Sequence, residues 1–255
     1  MPEGDAGRLR DGVHDPNIAG HWTHIKCPAD RYPGPMDEMP PFQRARRPEQ
    51  RELRRQEILD AAESLLAELP AEEISLRELA RRLDVSKTHV VRYFESREGV
   101  FLELLNRMRR SWLDAVEWPT DPDQVMPVLA DSLAARPILC QLWSMLPTVL
   151  ERNVSVETVR AYKLVDLEHR TELANQIADR VPALSADDAL LLTEHIVVGL
   201  VGLWPFSRPT PTVVEATRDD PRLARARVDF PARYGELLRV MLAGMTTRDS
   251  RTATP

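Results

Sequence analysis

Residues 75–94, SLRELARRLDVSKTHVVRYF, read as two short helices around a tight turn. Ser75 opens the first helix, and Glu78 stands three residues on. In this capping-box spacing each side chain can satisfy a backbone donor that the helix start leaves orphaned. Leu76, Leu79, Ala80 and Leu83 then share one helical face, while Arg77, Arg81 and Arg82 fall elsewhere. Ala80 is small where two crossing helices need close approach. Asp84 falls at the turn, and Asp tolerates left-handed backbone better than most residues. Ser86 can cap the second helix. There Val90 and Phe94 point to the core, and Lys87, Thr88, His89, Arg92 and Tyr93 remain available. A second helix that offers its first residues to base edges is the geometry of a recognition helix in the major groove. Its basic and hydroxyl groups suit phosphates and sugar edges. On these twenty residues alone, an ordinary surface hairpin with a solvated basic face is an equal alternative.

The flanks break the tie. Upstream, Ile58, Leu59, Ala62, Leu65, Leu66 and Leu69 form one apolar stripe at helical spacing, which Pro70 ends. Downstream a helix begins at about Arg97, with Val100, Leu104, Leu105, Met108 and Trp112 on one face. The blocks ILDAAESLL, SLRELARRLDVSKTHVVRYF and SREGVFLELL occur in that order between Arg51 and Arg110. This arrangement resembles the TetR family of transcriptional repressors. The resemblance implies a homodimer, with an N-terminal three-helix DNA-reading domain on a larger helical ligand-binding domain. Carried over by position, it implies that Arg77, Lys87, Thr88, His89, Arg92, Tyr93 and Arg97 face the DNA. Two residues depart from the family's pattern. Thr88 stands where many members have Gly or another small residue. Val91 stands where a phosphate-touching Tyr is common, and is left to pack against thymine methyls or the core.

Composition fits this reading. The 255-residue chain is long enough for two small domains, and 43% apolar residues support a core. β-branched runs are short and Gly-led hairpin turns are missing, so the expected class is all-α. The net charge of −6 is unevenly spread: residues 44–110 carry 15 Lys or Arg against 13 Asp or Glu, the remainder 19 against 27. The basic excess sits in Arg44, Arg46, Arg47, Arg51, Arg54 and Arg55, an arm that can lie along phosphates or remain solvated. Cys27 and Cys140 are far apart and form no disulfide framework, which fits a reducing cytoplasm. No signal peptide is visible. The most apolar run, Ala189–Trp204, is shorter than the roughly 20 residues of a membrane span.

The expected organisation is a disordered extension over 1–47, a DNA-binding domain over 48–111, a helical ligand-binding and dimerisation domain over 112–248, and a disordered tail over 249–255. The extension holds His14, His21, His24 and Cys27, but their spacing fits no standard structural zinc site, so no metal or cofactor is expected. A translation start at Met36 or Met39 is a further reading of this segment. In the C-terminal half, helices are expected at about Asp123–Ala135, Pro137–Arg152, Val154–Val181, Ser185–Trp204 and Pro231–Ala243, with Pro147 kinking the second. Residues 207–229 read as a connector with a short helical turn. The segment LPTVLERNVSVETVR also resembles one in TetR-family C-terminal domains. The family places its dimer interface on the last two helices, here about 185–204 and 231–243, where Gly199 and Gly202 permit close approach. Trp143, Tyr162, His169 and His195, with Met145, Leu146 and Trp204, are the candidate lining of an effector pocket, or simply core. The expected partners are an operator duplex, a small-molecule effector of unknown identity and a second copy of the chain, with no membrane. Two other readings stand beside this one: a helical enzyme, for which the chain holds no Gly-x-Ser-x-Gly, His-Glu-x-x-His or phosphate-cradling Gly loop, and a helical interaction module that binds no DNA.

Overall fold

The computed structural model describes residues 41–224 and 227–252, and every regular element among them is a helix. The sequence readings for the N-terminal His and Cys residues lie outside the described residues.

The first half holds α1 (Pro41–Glu68), a 3-10 turn (Ala71–Glu73), α2 (Leu76–Arg82), α3 (Lys87–Val91) and α4 (Arg97–Ala115). Apolar stripes turn inward from each: Leu59, Ala62 and Leu65 of α1, Leu79 of α2, Val90 of α3, and Val100, Leu104 and Leu105 of α4 are all buried. Each buried Leu or Val among them contributes on the order of 1.5–3 kcal/mol. α1 starts earlier than the sequence reading allowed, since residues 41–47 were expected to hold no helix. Pro41 suits a first helical position, and Pro48 inside α1 removes one rung of the hydrogen-bond ladder without ending it.

Side-chain oxygens cap the starts. The Glu78, His89 and Gly99 amides donate to Ser75, Ser86 and Ser96 at 3.1–3.2 Å, and Thr158 and Asp188 donate to Ser155 and Ser185 likewise. Only half of the expected capping box at Ser75 forms, because the Glu78 carboxylate turns to Arg81. Between α2 and α3, Asp84 takes φ 52°. The Val85 amide reaches the Ala80 carbonyl at 3.0 Å and the Asp84 amide that of Arg81 at 3.3 Å. This is a Schellman closure with Asp in the left-handed position that glycine usually fills.

The second half comprises α5 (Val125–Ala134), α6 (Pro137–Met145), a π turn (Leu146–Leu150), α7 (Val156–Ala178), α8 (Ala186–Ser207), α9 (Pro211–Ala216), α10 (Pro221–Ala224) and α11 (Phe230–Thr252). The expected kink at Pro147 takes the form of the π turn, where the wider helical register tolerates the missing amide. The connector holds two short helices, α9 and α10, rather than one turn. α11 continues to Thr252, past the expected start of a disordered tail at 249.

α8 is 22 residues long, longer than the apolar run implied, and so long and apolar enough to cross a membrane by those measures alone. Its inner side, however, packs on α6, α7 and α11. Gly199 lets α11 close in: a Cβ there would stand 3.0 Å from Leu237 and 3.3 Å from the Tyr234 ring. The Tyr234 hydroxyl donates to the Ile196 carbonyl. Gly202 meets nothing within 4 Å and faces outward. Val198 and Phe206 of α8 and Val240 of α11 are likewise exposed.

Candidate nucleic-acid interface

Val90 fixes the orientation of α3. With its side chain fully buried, the same short helix turns Lys87, Thr88, Val91 and Arg92 outward. Val91 is 45% exposed, so it does not pack into the core. Arg77 on α2 is also exposed, and it shares a shallow recess with Lys87 and Arg97. His89 and Tyr93 are half-buried and pack ring to ring, with centroids 5.5 Å apart. The His89 Nε2 is buried without a partner among the described residues. These two residues thus sit at the edge of the outward face.

The arginines divide into two groups. Arg81 pairs with Glu78, Arg82 with Glu68 and Ser64, and Arg54 with Glu57. Among the described residues, Arg51, Arg77, Lys87 and Arg92 have no carboxylate within ion-pair distance. Arg55 departs from the sequence reading of a basic arm. Its guanidinium pairs with Glu103, donates to the Tyr93 carbonyl at 2.9 Å and lies 4.6 Å from the Phe94 ring centre. It therefore ties α1 to the end of the recognition segment.

Arg97 is likewise engaged inside the domain rather than free for a phosphate. One guanidinium nitrogen donates to the Ala71, Glu72 and Ile74 carbonyls, each at 3.3 Å, and another pairs with the buried Glu98 at 2.7 Å. Those carbonyls end the 3-10 turn and lead into α2. Arg97 gathers orphan acceptors and sets where α2 begins.

The four candidate pocket residues do not form one site. Tyr162 and His169 line a cavity between the DNA-reading half and α7. Trp143 is buried and does not line it; its ring is 4.7 Å from the Arg109 guanidinium and 6.0 Å from the Trp112 ring. His195 sits on α8 and is not among the residues lining this cavity.

The sequence reading missed the centre of this region. Arg109 is 2% exposed and pairs with Asp166, which also accepts Arg170 Nε at 2.8 Å. Arg109 falls four residues after Leu105 and three before Trp112, on the buried stripe, and that misplaced charge was the available signal. Asp166 falls between Tyr162 and His169 on α7 in the same way. Burial and the Arg109 and Arg110 charges pull His169 down to about 4, so it is neutral near pH 7. Burial pushes the Tyr162 hydroxyl well above its ordinary value.

Comparison with known proteins adds the family. Residues 58–104 match the N-terminal domain family described as "Bacterial regulatory proteins, tetR family". Residues 100–249, more than half of the chain, match "Tetracyclin repressor-like, C-terminal domain". No curated protein matches the sequence. Among solved structures, a TetR/AcrR-family transcriptional regulator from Thermobifida fusca YX-ER1 is 17% identical with TM-score 0.43, over 73% of this chain and 96% of that one. A TetR transcriptional regulator from Rhodococcus sp. RHA1 is 20% identical with TM-score 0.44, over 75% and 98%. At such values the assignment rests on the two sequence matches. They cover the helix-turn-helix and the helical body in turn, and the chain belongs to the TetR family of DNA-binding transcriptional regulators.

Proposed function

We propose that this regulator is a cytoplasmic, ligand-responsive homodimeric repressor. Its recognition segment would read an operator through Lys87, Thr88 and Arg92, with Arg77 and Arg51 on phosphates, and an effector would release it. The observation that carries the reading is the outward set on α2 and α3: exposed, cationic and without carboxylate partners, on a helix fixed by a buried valine. Val91 adds an exposed apolar group suited to a thymine methyl. His89 and Tyr93 would act from the edge, and Arg97 by placing α2. The dimer is supported by the exposed Val198, Gly202 and Phe206 at four-residue spacing along α8 and by the exposed Val240 on α11, which packs on α8. Two such subunits could present recognition helices to half-sites one or more DNA turns apart.

The test is fluorescence anisotropy of the full chain with the duplex upstream of its own gene. Lys87→Ala and Arg92→Ala should each weaken binding roughly tenfold or more. Each lost phosphate contact should lower the slope of log affinity against log salt by about 1. Elution as a dimer should persist. Wild-type affinity in both variants would defeat the assigned recognition helix.

A further inference from the structure

The chain leaves the helical body where α8 ends at Ser207 and returns to it at Phe230. Both ends of this excursion are pinned to one aromatic cluster. The Trp204 ring meets the Phe230 ring edge to face with centroids 4.9 Å apart, Phe230 stacks on Tyr234 at 4.9 Å, and the Arg208 guanidinium lies 4.8 Å from the Trp204 ring centre. Beyond Arg208 the chain is regular. Thr210 caps α9 by accepting the Val213 amide at 3.4 Å, Glu215 pairs with Arg218, and Asp220 accepts the Arg222 amide at 2.9 Å. Each of these bonds is local. No side chain from Arg208 to Leu223 is buried, and Val213, Val214 and Leu223 are exposed.

This combination asks for cover from outside the subunit. The six residues of α9 fall well short of the roughly 12–15 that a helix needs to hold in water by propensity alone. Connectors longer than about 12–15 residues in a compact domain usually carry a function. The excursion is also rooted at a telling place. Phe206, 72% exposed, stands two residues before Arg208 and follows Val198 and Gly202 along α8, on the face proposed for the dimer. A second apolar surface without cover lies on α7, where Leu164 and Leu167 are 59% and 58% exposed. α7 packs along α8, so this surface flanks the same face. Within one chain the two surfaces do not cover each other. In a two-fold dimer a contact between them would form twice.

We infer that residues 208–223 form an arm that wraps a second copy of the chain, with Val213, Val214 and Leu223 covering the partner's Leu164 and the partner's Leu167. The inference rests on the dimer proposed above and adds a second, reciprocal contact outside the α8 and α11 faces. It gives α9 and α10 the apolar cover that their own subunit withholds.

The experiment measures the dimer dissociation constant of the full chain by analytical ultracentrifugation, with hydrogen exchange on the same samples. Val213→Asp/Val214→Asp should raise the dissociation constant roughly tenfold or more, since the loss is felt at both copies of the contact. Aspartate in the first turn of α9 suits the helix itself, so the change acts on what covers it. Leu164→Asp/Leu167→Asp should have a like effect, and the two pairs combined should weaken the dimer no further than either alone. Far-UV circular dichroism should stay that of the wild type, because all four side chains are exposed in the subunit. The Val214 and Thr217 amides, which donate to the Thr210 and Val213 carbonyls at 3.0 and 3.1 Å, should be protected in the dimer. They should lose protection in monomer obtained by dilution or by Val198→Asp/Phe206→Asp, where the arm is unaltered. A wild-type dissociation constant in the arm variant, full additivity of the two pairs, or equal exchange of the α9 amides in dimer and monomer would overturn the arm and leave the dimer standing. A wild-type chain that sediments as a monomer at every concentration would remove the dimer reading and the arm together.

Discussion

Glu95 and Ser155 are sixty residues apart, and the Glu95 carboxylate accepts the Ser155 backbone N–H at 2.6 Å. Ser155 is the N-cap of α7, so a side chain just beyond the recognition segment seats the start of that helix. A carboxylate at that end also complements the helix dipole. The hydrogen bond from the Ser155 amide, helped by Thr158, holds the Glu95 carboxyl below its ordinary range.

Glu95→Ala, which removes the acceptor, should therefore cost only a few tenths to about 1 kcal/mol, because the group is exposed. Ser155 should lose amide protection in hydrogen exchange, while Thr158, whose amide donates to Ser155 Oγ, keeps its own. The folded-state pKa is lowered, so the contribution is present above the ordinary carboxylate value of 4.5 and is lost as pH falls through the lowered value. The stability difference between wild type and variant should be constant near neutrality and shrink in acid. Unaltered exchange at Ser155 would show that the contact does not hold the two segments together.

Arg97 gives a contrasting expectation. Its planar fork meets three carbonyls and Glu98, and Lys cannot copy that geometry. Arg97→Ala and Arg97→Lys should both lower stability in urea by about 1–3 kcal/mol, since carbonyls are left without their donor. Both should weaken operator binding through displacement of α2. A variant with wild-type stability but weakened binding would return Arg97 to the role of a direct DNA contact.

The Arg109–Asp166 pair lies where solvent cannot replace either partner. Asp166→Leu leaves Arg109 charged and buried against Trp143, and should cost about 3–5 kcal/mol in chemical denaturation. Arg109→Met/Asp166→Leu should cost less than that single change, because two apolar groups satisfy each other. Additive losses in the double variant would show that the pair is not energetically coupled.

His169 sets a pH window. Burial first, then the Arg109 and Arg110 charges, lowers its folded value from 6.5 to about 4. The unfolded chain binds the proton first, so stability is full above pH 6.5 and falls as pH drops toward about 4. His169→Gln should flatten that part of the profile in equilibrium denaturation. An unchanged slope would place the responsible titration elsewhere.

What was legible in the sequence is what is local. Ser75, Ser86 and Ser185 meet amides three residues on, and Asp84 turns the chain within its own neighbourhood, so spacing alone reveals them. The stripes of α1 and α4 are read the same way. The carbonyl partners of Arg97 lie more than twenty residues back, where no periodicity points. Arg55 looked like part of a basic arm because its partner, Glu103, is on another helix. Proline content hid the start of α1, since Pro48 weakens a helix without forbidding it. At Trp143 and His195 residue type alone cannot tell one buried side of a helix from another. The cavity beside Tyr162 and His169 needs α1, α4 and α7 together, and so appears only in the fold.

The residues that hold the recognition segment and those it displays are different residues. Ser86, Val90, Arg55 and Arg97 fix its position, while Arg77, Lys87, Thr88, Val91 and Arg92 face outward. The outward set can therefore be exchanged, singly or together, without disturbing the scaffold. Over evolutionary time such a chain can acquire a new target sequence by a few surface replacements, keeping its stability as it changes allegiance.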